Sequence, residues 1–265
     1  ECLFTVNEED GMSGARAFKA GVLTGRFLLN LDAEDVDDLI IGCAGMLRTR
    51  SQASFKTAVP PGGYRFYALQ LAGFQGGHSG LDVHRRGSAI AVLTRLLASE
   101  ASSGLMLAEL EGGGAVNALP REAMAVFGLP ENSADAWLGA LRLREQTIRE
   151  ELIDKDKDWT LECKPVDAPK VVLSGHDSIG ILNALNALPN GCIAMEPTMA
   201  GVTRTSSNLG VLSLSEEDGS MILRTLVLVR SSVQLEMETV ATEIEAYLMN
   251  LGALCSRPAA SPAWK

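Results

Sequence analysis

The sequence lacks the features of a membrane protein, a disulfide-rich protein and a structural zinc domain. No apolar run approaches the roughly 18 residues of a membrane-spanning helix, although 46% of the residues are hydrophobic and the mean hydropathy is +0.12. The five cysteines are widely scattered without a Cys-x-x-Cys pair, whereas disulfide frameworks and zinc sites need clustered spacing. We therefore expect a soluble chain with free, buried thiols in the reducing cytoplasm.

Positive charge is also scarce. Lysine and arginine total 23 against 33 aspartates and glutamates, which gives a net charge of −10. Such a chain repels phosphate backbones and anionic lipids. We expect neither a nucleic-acid partner nor a membrane partner.

The first part of the chain has an α/β rhythm. Strand-like runs at residues 3–6, 27–31 and 39–43 are separated by a short helical stretch after Met12. Residues 47–64 then show no sustained period and are predicted to connect two units. We place a domain boundary there.

The second part alternates strands and helices. Apolar alternation predicts strands near residues 67–71, 105–110 and 123–127, and helical spacing predicts a helix over 90–97. Asn132 and Ser133 are candidate caps of a further long helix.

Two later signals complete the second part. Turn residues 216–219 lie between two strand-like runs and predict a β-hairpin. An apolar stripe from Val233 to Leu251 predicts a helix that ends at Gly252.

The alternating Lys and Asp residues of 154–158 are interpreted as a solvated charge run.

Three acidic residues follow the first strand-like runs. Glu8 and Glu9 follow residues 3–6, and Asp32 follows residues 27–31. Adjacent acids after a strand can divide proton transfer and metal binding between them. Alternatively, Glu8, Glu9 and Asp10 only offset the dipole of the following helix, and without further context the residues favour that interpretation.

Longer motifs change this balance. The stretch Thr5-Val6-Asn7-Glu8-Glu9-Asp10-Gly11-Met12-Ser13-Gly14-Ala15 resembles the T-x-x-E-E-x-G-M-x-G-A block of aminoacyl-histidine dipeptidases. Further blocks follow in the family's order: Leu29-Asn30-Leu31-Asp32, Gly42-Cys43-Ala44-Gly45, Gly76-Gly77-His78-Ser79-Gly80, Asn117-Ala118-Leu119-Pro120-Arg121-Glu122-Ala123 and Leu188-Pro189-Asn190-Gly191. The resemblance covers nearly the whole chain.

The resemblance implies a two-zinc peptidase with an inserted lid. Its fold is an incomplete α/β catalytic segment (residues 1–47), an α+β lid or dimerisation domain (48–231) and a return helix of the catalytic domain (232–265). Glu8 matches the general base that activates a zinc-bound water. Glu9 and Asp32 match carboxylate ligands of one zinc ion each.

Four lid residues match substrate-binding positions. His78 matches a histidine that stabilises the oxyanion in the active site of the partner subunit, which implies a homodimer. Asn117, Asn208 and Arg230 match positions that hold the carbonyl or carboxylate of a dipeptide.

The chain also departs from the family. The family's H-x-D motif, bridging Asp and final His have no counterpart, so of the zinc ligands only Glu9 and Asp32 remain. We therefore expect a partial chain that is inactive alone. Two alternatives stay open: a non-catalytic dimerisation module, and a related zinc exopeptidase such as a tripeptidase, carboxypeptidase or aminoacylase.

Overall fold

A computed structural model describes residues 2–7, 12–31, 40, 42–98 and 104–264. In chain order its helices and strands are α1 (Ser13–Arg16), β1 (Gly45–Lys56), β2 (Tyr64–Ala72), α2 (Ala89–Ala98), β3 (Met106–Gly112), β4 (Ala123–Pro130), α3 (Glu131–Glu151), β5 (Thr160–Val166), α4 (Gly175–Ala187), β6 (Gly191–Met195), β7 (Thr203–Glu217), β8 (Ser220–Ser231), α5 (Gln234–Met249) and β9 (Leu254–Ser256). No helix within the described ranges has the length and apolarity to cross a membrane.

The contacts divide the chain into two units, Glu1–Ile41 and Gly42–Lys265. The division falls before the predicted boundary at residue 47, and α5 belongs to the same unit as the predicted lid. The assignment of catalytic and lid domains stays a prediction.

In the first unit, the short helix after Met12 is confirmed as α1. The strands predicted at residues 3–6 and 27–31 are wrong, because these residues have no regular structure. Apolar side chains alone do not make a strand, which also needs a hydrogen-bonded neighbour. Phe4 and Phe27 are instead 92% and 90% exposed.

The second unit is built on one antiparallel nine-stranded sheet. Its order is β5-β2-β4-β3-β7-β8-β1-β9, and β6 pairs with β7 outside this path. The helices α2, α3, α4 and α5 contact one another in a layer against the sheet. The predicted mixture of helices and strands is confirmed, and the large antiparallel sheet is the central element of this unit.

The connector predicted over residues 47–64 is wrong in its first half, because β1 occupies it. Every residue of β1 pairs with β8. Its odd-numbered residues from Gly45 to Ala53 are buried, but two of them, Thr49 and Ser51, are polar. Burial therefore alternates along this strand with a period of two, but the hydrophobicity of the sequence does not show the alternation.

Most other sequence predictions in this unit are confirmed. They are β2, α2, β3, β4, the hairpin of β7 and β8, and α5. The hairpin turns through Asp218 and Gly219, whose φ angles of 48° and 81° suit a tight two-residue turn. The cap predicted for α3 is wrong, since that helix follows Pro130 and Ser133 donates to the carbonyl of Pro130.

A β-bulge divides β7 into two halves. The register between β7 and β8 shifts between Leu209 and Val211, so that Gly210 is the extra residue. Before the bulge, Ser206 and Asn208 lie opposite Arg230 and Leu228. This first half carries the candidate site.

Candidate functional site

The loop between β2 and α2 holds His78 in a tight turn. Gly77 has a φ of 139°, and a Cβ there would lie 2.6 Å from Oδ2 of Asp82. The same Oδ2 accepts a 2.8 Å hydrogen bond from the backbone N–H of His78. In return, the N–H of Asp82 donates to the carbonyl of His78 at 2.9 Å. Asp82 therefore fixes the backbone that carries the imidazole.

The imidazole of His78 is oriented by backbone donors. Its Nδ1 accepts hydrogen bonds from the N–H groups of Leu81 at 3.2 Å and Gly80 at 3.4 Å. A nitrogen that accepts hydrogen bonds cannot also carry a proton, so the ring proton belongs on Nε2. This is the neutral tautomer, whose Nε2–H can donate to an oxyanion.

A second loop segment runs beside this turn. Ser79 donates its N–H to the carbonyl of Asn117 at 3.0 Å, and Leu119 donates to the carbonyl of Gly77 at 2.9 Å. Asn208 of β7 donates through Nδ2 to the carbonyls of Val116 and Ala118, both at 2.9 Å. The segment 116–119 is thus held between the His78 turn and the sheet.

Arg230 connects the His78 turn to β8. Its Nε donates to Oγ of Ser79 at 3.3 Å, while Ser206, opposite it on β7, donates to the carbonyl of Ser79 at 3.1 Å. A Cβ on Gly80 would lie 3.0 Å from Cδ of Arg230 and 3.3 Å from Cε1 of His78. The guanidinium stem and the imidazole therefore meet at Gly80.

The electrostatic surroundings of Arg230 are unusual for an arginine. Burial lowers its pKa, the nearby Cys43 thiol raises it, and the positive charge of Arg48 lowers it further. Arg48 lies on the same face of the sheet, because Met46 pairs with Arg230 and Arg48 pairs with Leu228. Diagonal neighbours of this kind have Cα atoms about 7 to 8 Å apart.

No acidic partner compensates this charge within the part of the chain that the structure describes. Neither Arg48 nor Arg230 forms a salt bridge there. Nε of Arg48 is buried and has no hydrogen-bond partner. Two uncompensated guanidiniums on one face favour an anionic ligand.

The predicted site residues are placed unequally. His78 and Arg230 come together, and Asn208 supports the segment next to them from a position that is 1% exposed. The side chain of Asn117 is exposed, and its backbone carbonyl holds Ser79. Glu8, Glu9 and Asp32 lie outside the described residues.

The described ranges contain no group of three His, Cys, Asp or Glu side chains that could hold a metal ion.

Sequence reasoning missed several residues that build this site. Asp82 was detectable, since an Asp four residues after a histidine in a glycine turn can bond the turn's backbone. Arg48 lies in residues 47–64, which were predicted to be a connector. Asp156 lies in residues 154–158, which were interpreted as a solvated charge run. His84 is hydrogen-bonded through Nδ1 to Oγ1 of Thr203 at 3.1 Å.

The cysteines are only partly as expected. All five are free, as predicted. The prediction that they are buried is wrong, because Cys2 and Cys43 are exposed and the other three are partly exposed.

Comparison with known proteins identifies the relatives of this chain. No family model matches it. It is 30% identical over 267 residues to the cytosol non-specific dipeptidase of Escherichia coli (strain K12), a match that covers 100% of this chain and 54% of that protein. The aminoacylhistidine dipeptidase structure from Vibrio alginolyticus matches with a TM-score of 0.86 and 33% identity, over 98% of this chain and 53% of the other.

The fold and sequence together place the chain among the homologues of dipeptidases. More particularly, it is homologous to part of the cytosol non-specific and aminoacylhistidine dipeptidases, as the motif resemblance predicted. The chain spans about half the length of these relatives.

Proposed function

We propose that this chain is part of an enzyme that hydrolyses dipeptides of the aminoacyl-histidine type and depends on zinc. The observation that carries the proposal is the meeting of His78 and Arg230 at Gly80, in a chain homologous to dipeptidases. His78 suits a developing oxyanion. Arg230 suits the free carboxylate that distinguishes a dipeptide from the interior of a longer peptide.

Arg230 binds the substrate carboxylate in this proposal. Its Nε is engaged by Ser79, which fixes the plane of the guanidinium. Its terminal nitrogens form no hydrogen bond among the described residues and can grip both carboxylate oxygens. Arg48 adds a second positive charge on the same face. The specificity for a terminal carboxylate follows from these two charges.

His78 stabilises the oxyanion that forms when water adds to the peptide carbonyl. The two backbone N–H groups at Nδ1 place the proton on Nε2, so the ring donates as a neutral imidazole. Its turn is fixed before substrate binds, which avoids reorganisation during the reaction. We also propose a substrate contact for Asn117. Asn208 contributes to substrate binding indirectly, through the segment 116–119 that it supports.

The metal-dependent part of the proposal rests on the sequence motifs. Glu8 takes the proton from the attacking water, and Glu9 and Asp32 are carboxylate ligands. Two zinc ions, when bound, would supply an activated water and polarise the carbonyl. We also propose a homodimer through residues 48–231, which rests on the motif resemblance alone. A cytoplasmic location is proposed because the E. coli relative is named a cytosol dipeptidase.

Metal analysis and a hydrolysis assay of the natural gene product test the proposal. We expect bound zinc and cleavage of alanyl-histidine that is abolished by Glu8→Gln. Glu243→Gln is the matched control, because Glu243 is exposed on α5. A product with neither zinc nor turnover contradicts the proposal, and a stable dimer without turnover would favour the non-catalytic dimerisation module.

A chimera tests the residues of this chain directly. This chain replaces the matching segment of the E. coli dipeptidase, and the chimera is assayed with alanyl-histidine and zinc. Turnover that is lost on Arg230→Met supports the assigned roles. A folded chimera that cleaves tripeptides or acylated amino acids instead would favour one of the related exopeptidases.

A further inference from the structure

Asp156 is a buried carboxylate inside a segment whose pattern indicates a solvated charge run. Asp154, Lys155, Lys157 and Asp158 are exposed, as predicted, whereas Asp156 is 1% exposed. The interpretation of the run as wholly solvated is therefore wrong at this position. Burying an unpaired charge is unfavourable unless hydrogen bonds compensate it, so the contacts of Asp156 indicate its role.

The carboxylate of Asp156 joins the two ends of the His78 loop. Oδ1 accepts the N–H of Gln75 at 2.8 Å, and Oδ2 accepts the N–H of Gly87 at 2.7 Å. Gln75 precedes the glycine turn, and Gly87 precedes α2. One side chain thus closes the loop of residues 76–86, which contains His78, Ser79 and Asp82.

The position of Asp156 is itself fixed by the end of α3. Its N–H donates to the carbonyl of Leu152 at 2.8 Å. Nearby, Trp159 stacks on Phe74 at 5.4 Å between ring centroids, and Arg149 lies 4.0 Å above the Trp159 ring. Phe74 immediately precedes Gln75, so the base of the loop packs on the same platform that holds Asp156.

The carboxylate is paired with backbone donors rather than with a cation. No salt bridge within the described ranges includes Asp156. Two oxygens that each accept one backbone N–H suit the side chain of an aspartate, which offers an acceptor at each oxygen. An amide at this position satisfies one N–H and turns its own NH₂ group toward the other.

We propose that Asp156 is a positioning residue that holds the His78 loop closed over β7 and β8. It fixes the spacing of Gln75 and Gly87, and thereby the place of His78 and of the Ser79 hydroxyl that bonds Arg230. The catalytic consequence rests on the proposed dipeptidase function. The closure of the loop does not.

Hydrogen exchange tests the closure. Asp156→Asn is compared with Asp158→Asn, which makes the same charge change at an exposed position. We expect amides of residues 75–87 to exchange at least about tenfold faster in Asp156→Asn and at an unchanged rate in the control. Unchanged exchange in both variants overturns the proposal, whether or not the protein hydrolyses dipeptides.

Kinetics test the effect on His78. In the natural gene product, Asp156→Asn should lower kcat for alanyl-histidine at least about tenfold, whereas Asp158→Asn should not. Leu185→Ala serves as a core variant that lowers the thermal midpoint from a buried position on α4, outside the loop. Faster loop exchange with unchanged kcat, or an equal loss of kcat in Leu185→Ala, overturns the positioning role.

The wild-type chain provides a measurement that needs no variant. The amides of Gln75 and Gly87 should exchange far more slowly than loop amides that are exposed to water, because each donates to a buried carboxylate. Rapid exchange of both amides overturns the proposal even if Asp156→Asn fails to fold.

Discussion

Oγ of Ser79 accepts a 3.3 Å hydrogen bond from Nε of Arg230 and so ties the His78 loop to the C-terminal end of β8. Because the carbonyl of Ser79 also accepts from Ser206, the hydroxyl and the carbonyl of one loop residue are engaged by neighbouring strands. The loop and the guanidinium are therefore placed by the same contacts.

Arg230→Lys should selectively weaken binding of substrates that have a free carboxylate. Lysine keeps the charge but loses the planar fork and the contact with Ser79. We expect KM for alanyl-histidine to rise about ten- to a hundredfold, with little change for its C-terminal amide. Arg224→Lys on the same strand is the control, since Arg224 pairs with Glu217 at the far end of β8. An equal rise for dipeptide and amide would refute carboxylate recognition.

Arg48→Gln should weaken dipeptide binding through long-range charge. Its buried Nε and its place beside Arg230 predict a rise in KM of about tenfold at low salt, which shrinks as ionic strength increases. Arg50→Gln is the matched control, because Arg50 lies two residues further along the same face of β1 and is exposed. The same KM change in both variants would show that general surface charge, rather than Arg48, is responsible.

Two substitutions separate the two nitrogens of His78. Asn can keep an acceptor near the position of Nδ1, whereas Gln can place an amide donor near the position of Nε2. We expect kcat to fall about a hundred- to a thousandfold in His78→Asn and less in His78→Gln. Steady-state kinetics with alanyl-histidine measure both, and a greater loss in His78→Gln would assign the catalytic role to Nδ1.

Glu236 should make the stability of the fold depend on acidity. The hydrogen bond from Thr205, together with Arg204, lowers the pKa of Glu236. A lowered carboxyl pKa contributes stability above its unfolded value, near 4.5, and this contribution is lost as pH falls through the folded value. Glu236→Gln should cost about 1 kcal/mol or less at pH 7, since the pair is partly exposed.

The difference in unfolding free energy between the wild type and Glu236→Gln should shrink as the pH falls from 7 toward 3. Urea unfolding of both proteins at pH 7 and pH 3 measures it, with Glu238→Gln as a control on the exposed side of α5. A cost that is larger at pH 3 than at pH 7 would reverse the predicted sign.

Cys163 should react slowly with alkylating reagents. Burial raises the pKa of its thiol from 9.0 to about 11, so the thiolate appears only as the pH rises toward that value. At pH 8 its reaction with iodoacetamide should be about a hundredfold slower than that of a thiol with a pKa of 9.0. Mass spectrometry after timed labelling measures the rate, with the exposed Cys43 as reference. Labelling of Cys163 as fast as that of Cys43 would contradict the prediction.

Local signals in the sequence predicted the elements whose pattern is carried by strongly apolar residues. The stripe of α5 buries Met237, Val240 and Ile244, and the turn residues of the hairpin adopt the backbone that they favour. In β1 the buried positions include Thr49 and Ser51, so pairing with β8, rather than hydrophobicity, reveals the strand.

The candidate site shows the same distinction between residues that local sequence signals reveal and residues that only long-range contacts reveal. The motif resemblance indicated both His78 and Arg230. The burial of Asp156 could not be predicted, because an alternation of Lys and Asp is identical in a solvated run and in one whose central carboxylate caps distant backbone groups. Only the fold brings Gln75 and Gly87 within reach of it.

The extra residue in β7 changes which parity of that strand enters the hydrophobic core, from odd-numbered Leu209 before it to even-numbered Leu212 after it. Before Gly210 the even-numbered Ser206 and Asn208 face the loops, and after it the even-numbered Leu212 and Leu214 enter the core. Removing Gly210 would shift the alternation of β7 by one residue. Either Ser206 and Asn208 would then point into the core, or Leu212 and Leu214 would point away from it. A single-residue deletion here would therefore invert half of a strand, whereas a deletion at the hairpin's tip would only shorten it.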